Sequence, residues 1–168
     1  MNSTVISNSI RFIILLALQV VIFNRIDLFG FVDPYPYILF ILLFPIDGNR
    51  SLFLISSFLL GLSVDMFLNS GGAHAAACVT LAYMRPTIFK FSFGISYEYQ
   101  TIKVDNKLSY ERFSFMLISI VLHHFILFFL EIFRFDLILD ILLRIGLSVV
   151  FTLILCIIII YLIKPSKE

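Results

Sequence analysis

The stretch LILDILLRIGLSVVFTLILCIIIIYLI, residues 137–163, decides the fold class. Its only charges, Asp140 and Arg144, lie near its start, and everything from Ile145 to Ile163 is uncharged. At ~1.5 Å of helical rise per residue the run is longer than the ~30 Å hydrocarbon core of a bilayer, so it should tilt or project. Its apolar residues follow one another without the alternation of a barrel strand. A helix is then the form that satisfies the backbone in lipid.

The rest of the chain repeats this pattern. Of its 168 residues 61% are hydrophobic and 14% charged, with a mean hydropathy of +1.06, whereas soluble domains carry roughly 25% charged residues. A soluble chain of this length could not bury so much apolar surface. The reading is a single all-α polytopic membrane domain over 1–168, with spans over 9–23, 35–46, 52–68, 73–89, 113–133 and 137–163 and one sizeable loop, 90–112. The second span follows Asp33-Pro34-Tyr35-Pro36 and is marginal for a crossing, with a partial or tilted helix as its alternative. The apolar stretch after Arg11 lacks a small-residue cleavage site and runs into Asn24-Arg25, so it reads as a retained first span.

Six crossings place both termini on one side. That side then holds Arg11, Arg50, Arg85, Lys90, Lys103, Lys107, Arg112, Lys164 and Lys167, against Arg25 and Arg134 on the other. By the positive-inside rule the first set is cytoplasmic, and a five-span arrangement would scatter the basic residues across both faces. The 90–112 loop carries Tyr97, Tyr99 and Tyr110 among its lysines, as an interfacial hairpin or as a docking surface for a cytoplasmic partner. A net charge of +1 points to no nucleic-acid partner. No internal repeat supports an inverted-repeat transporter.

Polar residues inside spans are where function would show. Gly61 and Asp65 stand one helical turn apart, before the Asn69-Ser70-Gly71-Gly72 turn and the small-residue start Ala73-His74-Ala75-Ala76-Ala77. Gly61 permits close approach of another backbone, and Gly71 and Gly72 can adopt positive φ. Asp65 either contacts a partner or ligand, or caps the turn or bonds to His74, and the second reading is favoured. His123, His124 and Glu131 suggest a metal or proton site. However, neighbouring histidines diverge by about 100° around a helix, and zinc needs three or four convergent ligands, which favours structural contacts. Asp136, Asp140 and Arg144 share one stripe, with Asp140 and Arg144 spaced for an ion pair. Arg85-Pro86 closes the fourth span, the proline breaking or kinking it and the arginine anchoring it. Gln19 reads as an interhelical hydrogen bond, and Cys78 and Cys156 as small buried side chains. No nucleophile elbow, Walker loop or His-Glu-x-x-His motif is present, and neither an enzyme nor a cofactor is expected.

Gly61-Leu62-x-x-Asp65, the glycine turn and the small-residue span ending Ala82-Tyr83-Met84-Arg85-Pro86 together resemble the rod shape-determining MreD family. The motif covers 61–86, and the topology covers the whole chain. Family members often place a proline before the turn glycine and a small or polar residue after the second-span proline, where this chain has Ser70 and Tyr37. The resemblance implies a non-catalytic inner-membrane subunit of the bacterial elongation machinery. Its partners would be membrane lipids and an MreC-like protein, and through that protein MreB and the wall-synthesis enzymes. The six-helix body of such proteins is similar to the substrate-binding S component of energy-coupling factor transporters. The rival expectation is therefore a vitamin-type ligand subunit, with a pocket near Asp65, Asn69 and His74.

Overall fold

A computed structural model describes residues 2–26, 32–46, 48–94, 109–132 and 138–163. The described residues form helices and their connections, with no sheet. Helix α1 (Asn2–Val21) ends in a 3-10 turn, Phe23–Arg25. A second 3-10 turn, Pro36–Ile38, leads into the four-residue α2 (Leu39–Leu42). Four long helices follow: α3 (Arg50–Leu68), α4 (Ala73–Phe93), α5 (Tyr110–Ile132) and α6 (Ile138–Ile163).

Among the described residues, four stretches are long and apolar enough to cross a membrane: Val5–Arg25, Arg50–Leu68, Tyr110–Ile132 and Ile138–Ile163. Their outward faces carry large apolar side chains, among them Ile13, Ile55, Phe67 and Leu139. Such faces suit lipid contact, and the chain is a helical membrane protein. α4 spans 21 residues yet is not among the four. Its alanines, His74, Thr80 and Arg85 are poor lipid-facing residues, and it is flanked by protein, with α3 on one side and α5 on the other. α6 continues the row beyond α5.

The 35–46 segment is not the continuous helix expected of a span. Its helical part is three 3-10 residues plus four α residues, about 12 Å at 1.5–2.0 Å per residue, against a ~30 Å core. Pro34 and Pro36 withhold backbone donors at its start, and Pro45 follows its end. Tyr35 and every residue from Tyr37 to Leu42 are at most 3% exposed. Irregular backbone at membrane depth is tolerated where protein encloses it. Here α1, α3, α4 and α6 all touch the segment.

The fourth helix also departs from expectation. It runs through Pro86 to Phe93, past residue 89 where the sequence reading closed it, so the proline does not break the helix. Pro86 is exposed; it withholds one N–H from the helix ladder and crowds the carbonyl four residues back, a cost the helix absorbs without ending.

Candidate functional site

The site starts at the α3–α4 hairpin. Asn69 closes α3 in the left-handed region (φ 56°), its N–H bonding to the Asp65 carbonyl. Gly71 (φ 64°) and Gly72 (φ 96°) then turn the chain. Gly72 is the N-cap of α4 and has no side chain to satisfy the free N–H groups there. Asp65 supplies the missing acceptor from the other helix. Its Oδ1 accepts from the His74 backbone N–H at 3.0 Å and from the Ser70 hydroxyl at 2.5 Å, and its Oδ2 accepts from the Ala75 N–H at 2.8 Å. These are the donors an N-cap side chain serves, and the carboxylate sits at the positive end of the helix. Gly61 makes the arrangement possible: a Cβ there would lie 2.5 Å from the His74 carbonyl oxygen and 2.6 Å from the Ala75 Cα.

With its backbone held by Asp65, His74 turns its ring into the bundle. Its Nδ1 lies 2.7 Å from the Tyr37 hydroxyl, and the same hydroxyl lies 2.9 Å from His123 Nε2 on α5. Cys78 Sγ approaches His123 Nε2 at 3.9 Å. A hydroxyl has one proton to give. One histidine therefore accepts from Tyr37 while the other donates to it.

A second chain of bonds has a fixed direction. The Tyr35 N–H donates to Thr152 Oγ1 at 3.0 Å, and the Thr152 hydroxyl faces His124 Nε2 at 3.1 Å. His124 Nδ1 faces the Ile120 carbonyl at 2.9 Å. A carbonyl only accepts, so Nδ1 carries the proton and Nε2 of the neutral ring accepts from Thr152. The Tyr35 ring packs edge-on to His74 at 5.1 Å and lies 5.6 Å from His124. His74, His123, His124 and Thr152 are fully buried.

At the other end of the short segment two arginines hold successive carbonyls. Arg85 Nη2 donates to the Leu42 and Phe44 carbonyls at 3.1 and 2.5 Å, with its guanidinium 5.2 Å from the Phe53 ring centre. Arg11 donates to the Leu43 carbonyl at 2.9 Å. Helix-terminal carbonyls lack intrahelical partners and carry partial negative charge, which explains the choice of cations. Arg85 is thus an interior clamp only 6% exposed, not the headgroup anchor expected from its place beside Pro86. Gln19 secures the segment's start, donating to the Pro34 carbonyl at 3.2 Å and to Asn24 Oδ1 at 2.9 Å.

Gly61, Asp65, Gly71, Gly72 and His74 thus fall in one hairpin, and Arg85 lies farther along the same helix pair. Asp140 and Arg144 lie apart on α6, Asp140 exposed and Arg144 half-buried. No ion pair joins these two among the described residues, contrary to the pairing read from their spacing. Asp136 and most of the 90–112 loop, including Tyr97, Tyr99, Lys103 and Lys107, lie outside the described residues, as do Lys164 and Lys167. Glu131 is exposed, whereas His123 and His124 are buried. Among the described residues no three of His, Cys, Asp or Glu converge as metal ligands. Cys78 and Cys156 are free and buried. Tyr37, Tyr35 and Thr152 are the residues sequence reasoning passed over. The available signal was a tyrosine pair inside an apolar segment, because a buried phenol needs a partner.

In comparisons with known proteins, no family model, no curated protein and no solved structure matches this chain.

Proposed function

We propose that the chain is a non-catalytic scaffold of the bacterial inner membrane, with both termini cytoplasmic and the short second segment completing a six-crossing path. In this reading it acts as the MreD-like subunit of the rod elongation complex. It would bind an MreC-like bitopic protein and through it support MreB-guided peptidoglycan synthesis and cell shape. The observation that carries the scaffold reading is the engagement of Asp65. Both carboxylate oxygens are occupied by the chain's own donors, Ser70, His74 and Ala75, so this group shapes the protein instead of facing a substrate. His74, another of the three residues read as lining a solute pocket, is likewise turned onto Tyr37, which weighs against the vitamin-type ligand subunit. The assignment to cell-wall elongation rests on the resemblance over 61–86 and on the basic residues gathered on one side.

In this reading the partner's membrane helix lies along α6, where exposed Asp140 and half-buried Arg144 stand among the apolar side chains Leu139, Leu142 and Leu143. The test is affinity purification from native membranes with crosslinking. Wild-type protein should return a bitopic MreC-like partner, the Asp140→Leu/Arg144→Leu double variant should return it several-fold less, and depletion should widen the cells. Unchanged width on depletion together with no such partner would refute the assignment.

A further inference from the structure

We propose that a cleft between the α2–α3 turn and α4 binds the phosphate of an anionic phospholipid. The cleft holds about 120 Å³, room for roughly four waters at ~30 Å³ each and far less than the ~300 Å³ where small-molecule pockets begin. A headgroup fits it; a vitamin does not. Pro45, Ile46, Phe53 and Phe89 give it apolar walls, and Arg50 and Arg85 give it positive charge.

Arg50 is the residue on which the proposal turns. It is the first residue of a membrane-competent helix, and so stands at headgroup depth. Its guanidinium carbon lies 5.5 Å from the Tyr83 ring centre, a cation–π contact that uses none of its N–H donors and leaves them able to take a phosphate. It forms no hydrogen bond or ion pair among the described residues. Arg85 lies deeper and is already committed to the Leu42 and Phe44 carbonyls, so it contributes field more than contacts. The apolar majority of the walls favours a lipid over free phosphate, because the glycerol and first methylenes have surface to cover.

The experiment is native mass spectrometry of detergent-purified protein titrated with short-chain phosphatidylglycerol, phosphatidylcholine or inorganic phosphate. Phosphatidylglycerol should be retained at least five-fold over phosphatidylcholine, and inorganic phosphate should not displace it. Arg50→Ala should abolish the preference, and Arg50→Lys should keep part of it. Ile46→Trp should expel the lipid by filling the cleft with the charges unchanged. Lipid-free Arg50→Ala should melt with the wild type, since Arg50 is exposed. Equal retention of the two lipids, an Arg50→Ala protein with undiminished preference, or displacement by inorganic phosphate would each overturn the proposal.

Discussion

Asp65 illustrates how a charge can be stabilised at membrane depth without a counter-ion. Two backbone N–H groups and one hydroxyl point at it, and the helix they belong to adds its positive end. Replacing Asp65 with Ala strands both amides. With each unsatisfied group costing about 1–3 kcal/mol, the variant should lose roughly 2–6 kcal/mol in detergent unfolding, and Asp65→Asn, which keeps one acceptor, about half as much. Tyr37→Phe isolates the two histidine nitrogens that share its hydroxyl and should cost about 1–3 kcal/mol with little change in helix content by circular dichroism. This residue-scale chemistry was only partly legible in the sequence. The Gly61–Asp65–Gly72 relation is local, and a four-residue spacing next to a glycine turn says what it does. The bond from Tyr37 to His123 joins residues 86 apart, and nothing in a linear pattern says that two side chains lie at the same depth. Ser70 and Tyr37, the two departures from the family's pattern, both proved to be engaged: Ser70 on Asp65 and Tyr37 on the histidines.

At the scale of elements, the short second segment depends on its neighbours for hydrogen bonds a full helix would make alone. Arg85 serves two of its carbonyls and Arg11 one. Arg85→Met should therefore destabilise more than Arg11→Met, by about 1–3 kcal/mol for the additional stranded carbonyl, and Arg85→Lys should recover part of the loss; chemical unfolding of the four proteins would rank them. The sequence showed this segment's shortness and its prolines, but assigned Arg85 to the headgroups because the residue precedes Pro86 near the cytoplasmic end of the fourth span. That misplacement has a physical origin. A cation near a span end can snorkel outward or turn inward, and the inward choice depends on carbonyls 41 and 43 residues upstream. The continuation of α4 past Pro86 was hidden for a related reason, since a proline costs its own helix one hydrogen bond and a steric clash, and whether tertiary packing outweighs that cost is not local information.

At the scale of the molecule, the buried cysteines report on integrity. Cys78 and Cys156 are both 0% exposed, on α4 and α6. A membrane-permeant maleimide should label neither in the folded protein and both after denaturation. Asp65→Ala should accelerate labelling of Cys78, which sits on the helix that Asp65 caps, and rapid labelling of the folded wild type would contradict the packing described. The class of fold was the most legible feature because it follows from the length of apolar runs. The number of crossings was less so, because α4 carries polar residues on its buried face and the 35–46 segment is enclosed by protein, so neither shows the long apolar run by which a span is read.

The clamp on the second segment also constrains biogenesis. Its terminal carbonyls are held from one side by a residue made earlier, Arg11, and from the other by one made later, Arg85. Until residue 85 has emerged from the ribosome, part of this stretch has no protein partner, and lipid cannot substitute for one. The nascent chain must therefore keep the stretch sheltered in the insertion machinery, or leave it at the aqueous surface, and thread it home only once the α3–α4 hairpin has arrived.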